Sequence, residues 1–247
     1  MAKKIQHRLF ITDSLPGSGL LTLGAEQSHY LANVMRASVG TEALLFNGQD
    51  GEWAAEVVEV KKKAVTLKVN TKTREQTAEP DLWLVFAPIK KARLDFMAQK
   101  ATELGVSHLI PVYTHRTIVD RVKTDRLRAN AIEAAEQCER LNVPTSDEPT
   151  KLEKLLASWP TDRRIMFCDE DLSGDSAHEA LEKAASKSDP GKWAILIGPE
   201  GGFDDDERRM IRAHENTTVV ALGPRVLRAD TAAMAAISLW QSALGDW

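Results

Sequence analysis

Residues Trp193-Ala-Ile-Leu-Ile-Gly-Pro-Glu-Gly-Gly-Phe-Asp-Asp-Asp-Glu-Arg208 decide the fold. An apolar run leads straight into Gly198-Pro199-Glu200-Gly201-Gly202 and then into a helical stretch. Glycines at the carboxyl end of a strand let a ligand approach the backbone closely. The helix opens with Asp204, Asp205, Asp206 and Glu207. Asp204 and Glu207 have capping-box spacing, with Asp in place of the usual Ser or Thr. Four carboxylates there already complement the helix dipole and repel phosphate. The spacing also departs from G-x-G-x-x-G and from Walker A. A pyrophosphate-bearing cofactor is therefore disfavoured, and a neutral or cationic ligand remains. The glycines alone are equally consistent with a plain strand-to-helix turn.

Around this stretch, strands and helices alternate. Apolar strand candidates are Leu82–Ala87, His108–Tyr113, Arg164–Cys168, Trp193–Ile197 and Thr217–Leu222. Helical candidates are Arg93–Leu104, Asp125–Leu141, Lys151–Trp159, Ala177–Ser186, Asp205–Glu215 and Thr231–Leu244, with Gly105 placed where a C′ glycine belongs. That alternation predicts an α/β domain: a parallel sheet with helices on both faces. The first 70 residues read differently. Thr41–Gly48, Glu52–Val60 and Ala64–Val69 are short β-branched stretches, and Ser28–Arg36 is the one helical candidate. This is a small β-barrel pattern. Thr71–Pro80 is polar and lacks apolar periodicity, so it reads as a linker. The expected domains are 1–72 and 73–247.

Composition narrows the function classes. The chain has 247 residues, 43% hydrophobic and 28% charged, which excludes disorder and a disulfide scaffold. A net charge of −4 excludes a uniformly basic nucleic-acid binder, but not a basic face. Residues 1–72 carry 9 basic and 7 acidic residues, and residues 90–128 carry 9 and 4. Cys138 and Cys168 lack CxxC spacing. They read as buried inert thiols in a reducing, cytoplasmic setting. No apolar run approaches the ~20 residues of a membrane helix, and the basic N-terminus lacks the apolar region of a signal peptide. The histidines show no HExxH pattern and no serine sits in a GxSxG elbow, so neither a metal nor a hydrolase is expected.

Two further stretches invite chemistry. In Val219-Val-Ala-Leu-Gly-Pro-Arg-Val-Leu-Arg-Ala-Asp-Thr-Ala232 another strand ends in Gly223-Pro224. A short loop then carries Arg225 and Arg228 into a helix rich in small residues. Two such strand ends favour a shared crevice, although Arg228 alone reads equally as a surface ion pair. Lys90, Lys91 and Arg93 sit at a strand-to-helix junction, and Arg116, Arg121 and Lys123 follow the next strand. Contact with RNA phosphates is one reading; a solvated charged loop is the other.

Taken together, these stretches resemble the RsmE family, the 16S ribosomal RNA uridine N(3)-methyltransferases of the SPOUT superfamily. The segments are Gln99-Lys-Ala-Thr-Glu-Leu-Gly105, Glu133-Ala-Ala-Glu-Gln137 with Arg140, Ile197-Gly-Pro-Glu-Gly-Gly-Phe203 and Leu222-Gly-Pro-Arg-Val-Leu-Arg-Ala-Asp-Thr-Ala232. Arg8-Leu-Phe10, His29 through Arg36, Gly40 and Asn47-Gly48 extend the likeness over nearly the whole chain. The resemblance implies a PUA-like barrel, a C-terminal domain with a trefoil knot, and a homodimer. It also implies S-adenosylmethionine as methyl donor and 16S rRNA or the small ribosomal subunit as partner. On that likeness Ile197, Gly198, Gly202, Leu222, Gly223 and Leu227 hold the donor, beside Pro199, Glu200, Val226 and Thr231. Arg228 then has the electrostatic role in catalysis. Asp230 is a candidate base, although an Asp at a helix start is more often a cap. Lys90, Lys91, Arg93, Arg116 and Arg140 would meet RNA, as would Arg8 and Arg36, each of which reads equally as a structural ion pair.

Overall fold

The computed structural model describes residues 7–15, 17–171, 174–185 and 191–247. It divides into two compact units. One runs to Ala78 and also takes in Ala135–Val143; the other holds Glu79–Ala134 and Pro144–Trp247.

The first unit is built on a five-stranded sheet of order β1-β3-β4-β5-β2. Its strands are β1 (His7–Phe10), β2 (Gly19–Thr22), β3 (Glu42–Phe46), β4 (Glu52–Lys61) and β5 (Ala64–Arg74). The three longer strands follow the alternation in the sequence. On β5, Val65, Leu67 and Val69 are buried while Lys68, Asn70 and Lys72 are exposed. The buried side joins Leu9, Ile11, Leu31, Leu45 and Val57 in one apolar core. The helical candidate starts earlier than expected, at α1 (Ala25–His29), and continues as a π-helical turn over Tyr30–Val34. Strand β5 runs to Arg74, so the expected boundary at 72 falls inside a strand, and the linker reading fails for its first four residues. The segment Ala135–Val143 joins this unit through side chains distant in sequence: Phe46, Ala135 and Leu141 form a small apolar cluster, and the Phe10 amide donates to Glu136 Oε1 at 2.9 Å.

The second unit contains β6 (Leu82–Phe86), β7 (His108–Tyr113), β8 (Thr145–Ser146), β9 (Thr150–Lys151), β10 (Arg163–Cys168), β11 (Asp175–Ser176), β12 (Lys192–Ile197) and β13 (Thr217–Ala221). Its helices are α2 (Lys91–Glu103), α3 (Thr124–Gln137), which ends in the first unit, α4 (Leu152–Ala157), α5 (Ala177–Ala185), α6 (Asp205–Ala213) and α7 (Ala229–Leu244). The sheet order is β11-β13-β10-β12-β6-β7-β8, with β9 also on β7, and every described pairing in it is parallel. Side chains alternate between two cores. Trp193, Ile195 and Ile197 face the core shared with α2, α5 and α7, whereas Ala194 and Leu196 face that of α4 and α6. Burial on both faces is why these strands read as unbroken apolar runs. Because the sheet is parallel, the loops after β6, β7, β10, β12 and β13 all emerge along one edge.

Candidate donor site

The loops after β10, β12 and β13 enclose a cavity of about 460 Å³, a volume suited to a small organic ligand. Strand β10 lies between β12 and β13. The two glycine-bearing loops therefore flank the end of β10, which supplies Cys168, Asp169 and Glu170 to the wall. The remaining lining comes from Ile197–Glu200, Gly202, Leu222, Arg225–Ala229, Ala232 and Arg93. The small residues Ala229 and Ala232 at the start of α7 leave room there.

Local chemistry fixes the loop after β12. A Cβ on Gly198 would lie 2.6 Å from the ring of Phe203, which is fully buried against Phe167. Gly202 has φ +70, and a side chain there would strike Glu170. Arg116 donates to the Gly201 carbonyl at 2.9 Å, and Arg93 pairs with Glu200. The expected capping box forms: Asp204 accepts from the Glu207 amide at 2.7 Å, and Glu207 accepts from the Asp204 amide at 3.1 Å. Asp204 and Glu207 are thus consumed in capping their own helix, Asp205 and Asp206 are exposed outside the cavity lining, and the carboxylates in the cavity wall are Asp169, Glu170 and Glu200. Burial pushes the Cys168 thiol pKa upward, so this sulfur stays protonated and is no nucleophile.

His115 closes the outer side of the capping box. Its amide donates to Glu207 at 2.8 Å, and its ring Nδ1 pairs with Asp204. The hydrogen bond to Asp204 raises the imidazole pKa above its ordinary 6.5, and the Asp204 carboxyl lies below its ordinary 3.8. A raised histidine pKa gives stability that is present at mildly acid pH and lost as pH climbs through the folded value; the Asp204 contribution is lost below about 3.8. We expect the melting-temperature difference between wild type and His115→Gln to be largest near pH 5–6 and to close by about pH 9. A constant difference over that range would show that the ring acts by packing alone.

Of the residues expected to hold the donor, Ile197, Gly198, Pro199, Glu200, Gly202, Leu222, Val226 and Leu227 line the cavity. Gly223 and Thr231 do not. Gly223 has φ +102 with open space around it, so it turns the chain. Arg228 lines the cavity from the N-cap position of α7. Asp230 lies outside the lining, and its carboxylate accepts from the Thr231 amide at 3.1 Å. Arg93 belongs to the cavity rather than to an outer basic face. Lys90 and Arg116 share a smaller crevice with Glu200; Lys91 is exposed at the start of α2, and Arg36 is exposed with φ 56. Two RNA candidates are corrected. Arg8 is 7% exposed, bound to Glu52 at 2.7 Å and to the carbonyls of Ala135 and Arg140, while Arg140 itself is buried. Neither offers its charge to a polyanion. Cys138, expected to be buried, is exposed. Sequence reasoning missed Asp169 and Glu170. Their only signal was two carboxylates directly after an apolar strand.

Comparison with known proteins agrees with this geometry. Residues 76–241 match the family described as RNA methyltransferase domain, and residues 23–70 match the RNA methyltransferase PUA domain. A ribosomal RNA small subunit methyltransferase E of Rickettsia conorii is 30% identical over 233 residues, covering 94% of this chain and 93% of its own. The Bacillus subtilis protein of that name is 28% identical over 225 residues, 88% of each chain. A Legionella pneumophila methyltransferase solved with bound SAM superimposes with TM-score 0.84 at 30% identity, over 97% of this chain and 98% of that one. The Neisseria gonorrhoeae ribosomal RNA small subunit methyltransferase E, solved with S-adenosylmethionine, gives 0.85 at 24% identity, over 98% of this chain and 99% of that one, and supports the fold. With a PUA domain preceding a parallel-sheet domain whose glycine loops wall a ligand-sized cavity, the chain belongs to the RNA methyltransferase family that includes the ribosomal RNA small subunit methyltransferases E.

Proposed function

We propose that the protein transfers a methyl group from S-adenosylmethionine to N(3) of a uridine in 16S rRNA of the small ribosomal subunit. The observation that carries this reading is the cavity at the carboxyl edge of the parallel sheet, walled by Gly198, Gly202 and the loop bearing Arg228. Its residues suit the donor. The glycine loop admits a nucleoside close to the backbone. The self-capped start of α6 leaves no free helix terminus for a phosphate. Carboxylates stand in the wall to face a cation.

When bound, S-adenosylmethionine supplies an electrophilic methyl group on a positively charged sulfur. The chain must then orient the uracil and stabilise its ring once the N(3) proton departs. Arg228 is placed to stabilise that ring, since it lines the cavity, is exposed and has no partner among the described residues. A guanidinium aimed at the developing anion lowers the barrier without rearranging. Asp230 serves the same helix as first-turn acid and is a secondary candidate for proton acceptor. Lys90, Lys91, Arg116 and Arg36 supply exposed charge for the RNA backbone. The homodimer, the knotted threading of the C-terminal segment and a cytoplasmic location belong to the same reading.

The test is methylation of deproteinised 16S rRNA and of intact small subunits in vitro, mapped by reverse-transcription stops. We expect one stop at one uridine, because an N(3) methyl blocks pairing. Arg228→Ala should lower kcat by roughly 10²–10³-fold and leave the donor KM within a few-fold. Donor binding without any stop on either RNA would overturn the assignment of the substrate.

A further inference from the structure

The end of β10 carries charges that the catalytic reading does not use. Asp169, Glu170 and Asp171 meet Arg208 and Arg212 of α6, three carboxylates against two guanidiniums and a formal balance of −1. Asp169 is fully committed. Its Oδ1 accepts from Arg208 at 3.0 Å and its Oδ2 from Arg212 at 2.8 Å, and its side chain has 0% exposure. Glu200 is neutralised by Arg93. Glu170 differs from both. Its Oε1 accepts from the Phe203 amide at 3.2 Å and from Arg208. Its Oε2 has no partner among the described residues, and the side chain, 34% exposed, lines the cavity. Gly202, at φ +70, passes against this carboxylate, and a side chain there would push it aside.

We propose that Glu170 is a specificity-determining residue of the cavity, favouring a positively charged sulfonium nucleoside over its uncharged thioether counterpart. The proposal rests on the donor reading above. One carboxylate oxygen is held by an amide and a guanidinium, so the group does not reorient when a ligand arrives, and its field acts on the charge placed beside it. Arg225 and Arg228, which share the wall and have no partner among the described residues, are positive and oppose a cation. The residual −1 of the Glu170 cluster offsets one of these two charges. Donor and product have nearly the same shape and differ by one charge at sulfur, because the C–S electron pair stays on sulfur when the methyl group leaves. The fixed Glu170 carboxylate therefore discriminates between them where contacts alone do not, and it biases the site against retaining product.

The experiment is calorimetric titration of the full-length protein with S-adenosylmethionine and, separately, with S-adenosylhomocysteine. Glu170→Gln keeps the volume and an acceptor for the Phe203 amide and removes the charge. It should weaken the sulfonium ligand about ten-fold and the thioether by no more than about two-fold. Glu170→Asp keeps the charge and loosens the hold on the loop, so it should weaken both ligands in parallel and preserve their ratio. Equal weakening of both ligands by Glu170→Gln, or no effect on either, would overturn the proposal. A wild-type protein that binds neither ligand would overturn the donor reading itself, and this proposal with it.

Discussion

Gly198→Val should abolish donor binding while the protein still unfolds cooperatively. The Cβ it introduces would lie 2.6 Å from Cε2 and 2.9 Å from Cδ2 of Phe203. That ring cannot yield, being wholly buried and packed edge-on to Phe167 at 5.2 Å. Interiors packed to crystal density transmit such strain rather than absorb it. The free direction is toward the cavity, so the loop must move into the space the ligand needs. We expect affinity for S-adenosylmethionine to fall by roughly 100-fold or more, with methylation falling alongside it. Overpacking of this kind costs roughly 1–3 kcal/mol, which is a few degrees of melting temperature for a domain of this size. Titration calorimetry and scanning calorimetry together separate the two effects. Gly223→Ala is the control. Nothing lies within 4 Å of its Cβ, and the penalty is the φ of +102 alone. That variant should lose about 1–2 kcal/mol of stability and only a small part of its affinity. Wild-type affinity in Gly198→Val would mean that the ligand approaches from elsewhere.

The contrast between these glycines shows what the sequence could and could not reveal. Apolar runs marked β6, β7, β10 and β12 nearly residue for residue, because a strand buried on both faces has no other way to be written. The Asp204/Glu207 spacing gave the capping box, a motif contained within four residues. Strand order is a different kind of fact. That β10 lies between β12 and β13 depends on how three separate helices pack, and no local pattern encodes it. Two glycine loops were therefore legible as a site, whereas the wall between them, Asp169 and Glu170, was not. Strands β1 and β2, four residues each, are too short to show a period and exist because β3 and β5 offer edges to pair with.

Arg8 is the strongest instance of a residue whose meaning is non-local, and its substitution should unfold rather than merely disarm the protein. Its guanidinium uses three nitrogens. Nε binds Glu52 at 2.7 Å, Nη1 the Ala135 carbonyl at 2.6 Å and Nη2 the Arg140 carbonyl at 2.7 Å, partners 44, 127 and 132 residues away. The group also stacks on Phe46 at 3.8 Å. Arg8→Ala takes the close ion pair from the Glu52 carboxylate, which is 5% exposed, leaving it the Thr73 hydroxyl at 3.0 Å and Arg74 at 3.8 Å, and leaves two carbonyls without this donor. Removing one member of a buried pair costs up to about 3–5 kcal/mol, and the more distant, half-exposed Arg74 compensates only part of the charge left behind. Lysine has no planar fork and cannot serve three directions at once, so Arg8→Lys should recover only part of the loss. The alternative, an arginine that grips RNA, predicts the reverse: weaker RNA binding, a shallower salt dependence and unchanged stability. Denaturant unfolding of both variants, read beside their RNA affinity at two salt concentrations, decides between these. A double-mutant cycle with Glu52→Gln should show a coupling of roughly 1–3 kcal/mol, and additivity would remove the buried pair as the cause.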